Sequence, residues 1–89
     1  IESRLAACVN ITTPVESIYR WQGKVSKSRE YLLIIKTTRS LFDELRLAVA
    51  RTHSYTTPEI ISLPITDGSA EYLQWIGSSV GHVQRLHEE

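Results

Sequence analysis

Hydrophobic and polar positions change period along this chain, and each period predicts an element. Cys8 to Trp21 is rich in β-branched and aromatic residues: Val9, Ile11, Thr12, Thr13, Val15, Ile18 and Tyr19. Such residues suit a pleated, half-buried surface. The segment reads as a strand, bent or bulged at Pro14, which has no N–H to give to a ladder. Gln22-Gly23 offers a turn, because Gly adopts positive φ without strain. Val25 to Thr37 reads as the returning strand, so the two predict a long hairpin. Its centre, Tyr31-Leu32-Leu33-Ile34-Ile35, is apolar without alternation, as expected of a central strand covered on both faces.

The period then lengthens to that of a helix. Leu41, Phe42, Leu45, Ala48, Val49 and Thr52 share one stripe, with Asp43, Glu44, Arg46 and Arg51 mostly off it, and this predicts a helix over Ser40 to His53. Ser40 and Asp43 resemble a capping box with Asp in place of Glu or Gln. Ser54 to Pro58 reads as a loop and Glu59 to Ile65 as a third strand. Ser69 is an N-cap candidate, and Glu71 sits where the helix dipole favours an anion. Ala70 to Val80 is the last helix, with Tyr72, Leu73, Trp75, Ile76 and Val80 largely on one side and Trp75 expected in the core. The opening, Ile1 to Ala7, reads as the last turns of a helix too short to stand alone. The predicted fold class is therefore α+β: a ferredoxin-like βαββαβ plan with an antiparallel sheet and an added C-terminal helix. Its first strand and most of its first helix are absent from this chain. One domain is expected over residues 1–80, with a polar tail over 81–89.

Composition narrows the function classes. Eighty-nine residues leave room for one core. Ten Lys and Arg balance ten Asp and Glu, so the electrostatic footprint of a nucleic-acid binder is missing. No apolar run approaches a membrane span. One cysteine excludes an internal disulfide framework and fits a reducing, cytoplasmic setting; no signal peptide is visible. Asn10-Ile11-Thr12 forms a glycosylation sequon inside a predicted strand, an unsuitable place for a glycan. No phosphate-cradling Gly loop, Gly-x-Ser-x-Gly, Cys-x-x-Cys or His-Glu-x-x-His occurs, and no enzyme is expected.

Several segments occur together at a specific spacing. They are Leu5-Ala6-Ala7-Cys8-Val9-Asn10-Ile11, Ser17-Ile18-Tyr19-Arg20-Trp21-Gln22-Gly23-Lys24, Leu33-Ile34-Ile35-Lys36-Thr37, His53-Ser54-Tyr55 with Pro58-Glu59-Ile60, and Tyr72-Leu73-Gln74-Trp75. Jointly they resemble the CutA divalent-cation-tolerance family over residues 1 to about 80. The resemblance implies a ferredoxin-like homotrimer, similar in shape to PII signalling proteins. It also implies a non-enzymatic role in copper tolerance, or, as in an animal relative, in anchoring acetylcholinesterase to membranes. The family opens with a central strand that this chain lacks. Its absence predicts either a longer natural chain or a partner strand in the gap, because orphaned buried amides cost about 1–3 kcal/mol each. His53-Ser54-Tyr55 stands where the family usually shows His-Pro-Tyr.

The resemblance also nominates site residues. Lys36, Tyr55 and Glu59 match positions bordering a pocket between subunits. There an ammonium could supply charge and a phenol a hydrogen bond to an anion or small ligand, with the carboxylate orienting both; alternatively, Lys36 and Glu59 form a structural ion pair that fixes trimer register. His53 matches one of three proposed copper ligands in bacterial relatives, Thr52 stands in place of another, and the family's metal cysteine would lie upstream of Ile1. Neutral imidazole suits Cu2+ or Zn2+; alternatively His53 interacts with the end of its helix. Cys8 reads as a small buried hydrophobe without a neighbouring Lys or His. Trp21, at the hairpin turn, reads as an anchor in the trimer interface. His82 and His87 are five apart on the polar tail, unsuited to one helix face. A second reading is a trimeric scaffold that recruits a protein partner.

Overall fold

The computed structural model describes residues 1–52 and 59–81. The predicted hairpin is present, but it is built from two ladders. Strand β1 (Cys8–Ile11) pairs antiparallel with β4 (Leu33–Lys36), and β2 (Val15–Trp21) pairs antiparallel with β3 (Lys24–Glu30). The single strands expected over Cys8–Trp21 and Val25–Thr37 are thus each divided. The reason lies at the predicted bulge. Ile11 is opposite Leu33 and Val15 is opposite Glu30, so residues 12–14 on one side face residues 31–32 on the other. Pro14 gives no N–H, and the extra residue breaks the pairing there. The join is held by Thr12, whose N–H donates to the Leu32 carbonyl at 3.0 Å. Its Oγ1 accepts the Leu32 N–H, also at 3.0 Å.

Beyond the join, β2 and β3 form a ribbon that closes on Gln22 and Gly23, with φ of 50° and 79°. Positive φ at both central residues gives the turn whose twist matches a right-twisted ribbon. The ribbon makes the molecule long. Its extents are 55 × 28 × 21 Å and its radius of gyration is 16.0 Å, against about 12 Å for a compact chain of this length.

The helices carry the small core. A short 3-10 turn (Arg39–Leu41) leads into α1 (Phe42–Thr52). Leu41 is buried, and Phe42, Leu45, Ala48 and Val49 are half-buried, so the predicted stripe faces inward as far as Val49; Thr52 is exposed. The capping box does not form. The cap falls two residues earlier, at Thr38, whose Oγ1 lies 3.2 Å from Ser40 Oγ. Asp43 instead faces Arg46 at 3.8 Å, an exposed pair of little energetic weight. Helix α2 (Ala70–Ser79) starts at Ser69 as predicted, although the Ser69 side chain makes no capping hydrogen bond. Ala6, Leu41, Ile76 and Val80 are the buried apolar side chains among the described residues.

Three further expectations are corrected. Ile1 to Ala7 is a turn, not a helix end: the Arg4 N–H donates to the Ile1 carbonyl at 2.9 Å, and Arg4 takes φ 64°. That left-handed residue halts helical propagation. Residues 59–65 form no ladder; the described strands pair only as β1 with β4 and β2 with β3. Trp75 lies outside the core, 45% exposed, with its ring centroid 5.5 Å from that of Tyr72. Of the predicted stripe, Ile76 is the residue within α2 that is buried.

Arg4 also ties the two ends of the fold together. Its Nε donates to the Gly81 carbonyl at 3.1 Å and its Nη2 to the Ser78 carbonyl at 3.0 Å. The Gly81 N–H returns a bond to the Arg4 carbonyl at 2.9 Å. Gly81, at φ 95°, is the left-handed residue just past the helix end. Arg4→Ala removes a charged donor from two carbonyls and is expected to lower stability by about 1–2 kcal/mol, read as a lower urea midpoint. Gly23→Val forces a β-branched residue to positive φ and is expected to destabilise by at least about 1 kcal/mol, with loss of ribbon order by NMR.

Candidate functional site

The base of the hairpin positions the first candidate. Lys36 is the last residue of β4 and lies directly opposite Cys8, the first residue of β1. Opposed residues in an antiparallel pair project to the same face. The Lys36 ammonium donates to Cys8 Sγ at 4.0 Å, and both residues are half-buried. This corrects the expectation that Cys8 is a buried hydrophobe with no lysine beside it. The ladder register, which the Pro14 bulge shifts, is what brings them together. Two bonds brace the pair from outside the ladder. The Ala7 N–H donates to the Lys36 carbonyl at 2.8 Å, and the Thr37 hydroxyl donates to the Leu5 carbonyl at 2.7 Å.

Glu59 is exposed and makes no ion pair with Lys36 within the chain. His53, Tyr55, His82 and His87 lie outside the described residues. Among the described residues no three His, Cys, Asp or Glu side chains gather into a metal-holding group. A chain folded in this way therefore joins Lys36 to Cys8, not Lys36 to Glu59.

Trp21 lies at the far end of the ribbon, opposite Lys24 and next to the turn, and is 50% exposed. Val15 and Tyr19 share its face of the ribbon, since side chains alternate with period two. Both are exposed as well, as are Ile61, Leu63 and Ile65 of the segment before α2. The chain's accessible surface, 7627 Å², exceeds the roughly 5,300 Å² expected of a compact chain of this mass. Uncovered apolar surface of this extent marks faces suited to contact with other chains. A shallow cavity of about 260 Å³ lies elsewhere, between Thr38, Ser40, Leu41 and Glu44 on one side and Gly77, Val80 and Gly81 on the other. Lys36, Glu59 and Trp21 are not among its lining residues. No described helix is long and apolar enough to cross a membrane.

The sequence profile of the family described as "CutA1 divalent ion tolerance protein" matches residues 1–79. A divalent-cation tolerance protein of Thermus thermophilus is 51% identical over 81 residues, covering 91% of this chain and 79% of that protein. The solved structure of the Thermus protein superposes with a TM-score of 0.88, covering 90% of this chain and 78% of that one. A chloroplastic relative from Arabidopsis thaliana is 51% identical over 79 residues; the chain spans 43% of its length. The antiparallel strands and two helices of this chain are thus the α+β arrangement of the solved Thermus structure.

Replacing Lys36 tests the brace from the fold side. Lys36→Met keeps the stem but removes the donor to Cys8. Its contribution is that of one half-buried charged hydrogen bond, about 1–2 kcal/mol of stability by urea unfolding.

Proposed function

Because this chain belongs to the CutA1 divalent ion tolerance family, we propose that it is a non-enzymatic, ferredoxin-like homotrimer that binds a divalent cation or a small anion between subunits. Family membership over residues 1–79 is the observation that carries the reading. The uncovered apolar faces of the ribbon and of the segment before α2 support assembly, because a lone chain leaves them in water. Trp21 is the proposed interface anchor: a large, half-exposed aromatic at the ribbon tip suits the desolvated centre of a contact.

The proposed ligand site uses Lys36, Tyr55 and Glu59. Lys36 supplies charge from the end of β4, Tyr55 a hydroxyl, and Glu59 a carboxylate that comes from a neighbouring chain, since the two do not pair within one. His53 is the proposed ligand for Cu2+ or another divalent cation, bound weakly because one imidazole supplies few of the donors such an ion prefers. The single cysteine supports a reducing, cytoplasmic setting.

Light scattering behind size exclusion is expected to give three times the 10.1 kDa chain mass, and Trp21→Ala to shift it toward the monomer. Within the trimer, calorimetric titration with CuCl2 and with inorganic phosphate reads the site. Lys36→Ala is expected to weaken phosphate binding about tenfold or more, and Glu59→Gln to weaken copper binding, while the trimer persists. His53→Ala is expected to weaken copper binding. Affinities unchanged in all three variants would overturn the site, and a monomeric wild-type chain would overturn the trimer.

A further inference from the structure

Cys8 is the chain's single cysteine and has no part in the proposed ligand site. Its sulfur lies 4.0 Å from the Lys36 nitrogen, and the two residues are opposed across the β1–β4 ladder. The register cannot slip without breaking the Ala7–Lys36 and Thr37–Leu5 bonds, which lie just beyond the pair at the open end of the ladder. Among the described residues, Cys8 Sγ is the side-chain partner of the Lys36 ammonium, and no carboxylate forms an ion pair with it. A nucleophilic amine is therefore held beside an oxidisable sulfur on one face of a braced ladder. Holding two groups this way raises their effective concentration well above that of any thiol or amine in solution. No second cysteine in the chain competes for an oxidised sulfur.

We propose that Cys8 and Lys36 form a reversible redox crosslink, a sulfenamide S–N bond made when a hydroperoxide oxidises the thiol. In the first step the peroxide O–O bond breaks, one oxygen joins Sγ, and water leaves; sulfur is oxidised and peroxide reduced by two electrons. A sulfenic acid condenses with a thiol to a disulfide or with a nitrogen, known for backbone amides, to a sulfenamide. In the second step Lys36 Nζ gives one proton to water and attacks Sγ. The S–N bond forms, the S–O bond breaks, and the departing hydroxide takes the second amine proton to leave as water. Thiol, ammonium and hydrogen peroxide thus give sulfenamide, two waters and one proton. A dithiol reverses the bond, restoring the thiol and the amine while it closes to its own disulfide. The crosslink does not rest on the proposed ligand site, although it consumes the ammonium that site uses.

The test is intact-mass measurement of the full chain after treatment with hydrogen peroxide. The expected product is lighter by two hydrogens, about 2 Da. Peptide mapping is expected to join Cys8 to Lys36, and dithiothreitol to restore the starting mass. Cys8→Ser is expected to give no such product. Lys36→Arg, which keeps the charge without the primary amine, is expected to yield at least about tenfold less of it and to gain oxygen at Cys8 instead. Reductive dimethylation of the folded wild-type chain blocks the amine without a substitution and is expected to act as Lys36→Arg does. Oxygen uptake or disulfide-linked chains as the main wild-type product, with Lys36→Arg and the methylated chain behaving identically, would overturn the proposal.

Discussion

One extra residue in the hairpin governs most of this fold. Residues 12–14 must pass residues 31–32 between two antiparallel ladders, so one side carries a residue the other cannot pair. Side chains alternate with period two, and a one-residue offset exchanges the faces they occupy. The bulge therefore decides which residues of the ribbon look the same way as which residues of the base. Thr12 makes the offset tolerable. Its side-chain oxygen accepts the Leu32 N–H, so the amide keeps a partner where the regular ladder pattern fails.

The ribbon beyond the bulge shapes the molecule and its energetics. It projects Val15, Tyr19 and Trp21 away from a core whose buried apolar members, among the described residues, are Ala6, Leu41, Ile76 and Val80. Apolar burial is the main favourable term in folding, and this chain leaves much of its apolar surface uncovered. Backbone ladders and the Arg4 clasp therefore carry more of the architecture than is usual. The clasp is polar: a guanidinium meets two carbonyls at the end of α2, where the dipole favours a cation. Contacts with other chains are the natural way to cover what the core does not.

Chemistry concentrates at the base of the hairpin. Lys36 ends a strongly apolar strand, and a lysine so placed must reach water or find a partner. Among the described residues it finds the sulfur of Cys8, not a carboxylate. The same register that braces β1 against β4 sets that contact.

Much of this architecture was legible in the sequence. The period-two run, Pro14 and Gln22-Gly23 determined a bulged hairpin with a tight turn, because proline lacks a donor and glycine takes positive φ. The helical stripe from Leu41 to Val49 and the start of α2 at Ser69 followed from periodicity and capping preference. The family was legible too, from short segments held at a joint spacing. The Cys8–Lys36 pair could have been found by counting back from the turn through the bulge, but the count is ambiguous until the bulge is located to the residue. What only the tertiary structure decided depends on contacts between residues far apart in the chain. Arg4 takes a left-handed turn to reach carbonyls more than seventy residues away, so a segment that reads as helix is not one. Ile76 rather than Trp75 is buried in α2, and residues 59–65 lie without a ladder. Local propensity fixes which elements a segment can form; the neighbours that satisfy its hydrogen bonds and cover its apolar side decide which of them it keeps.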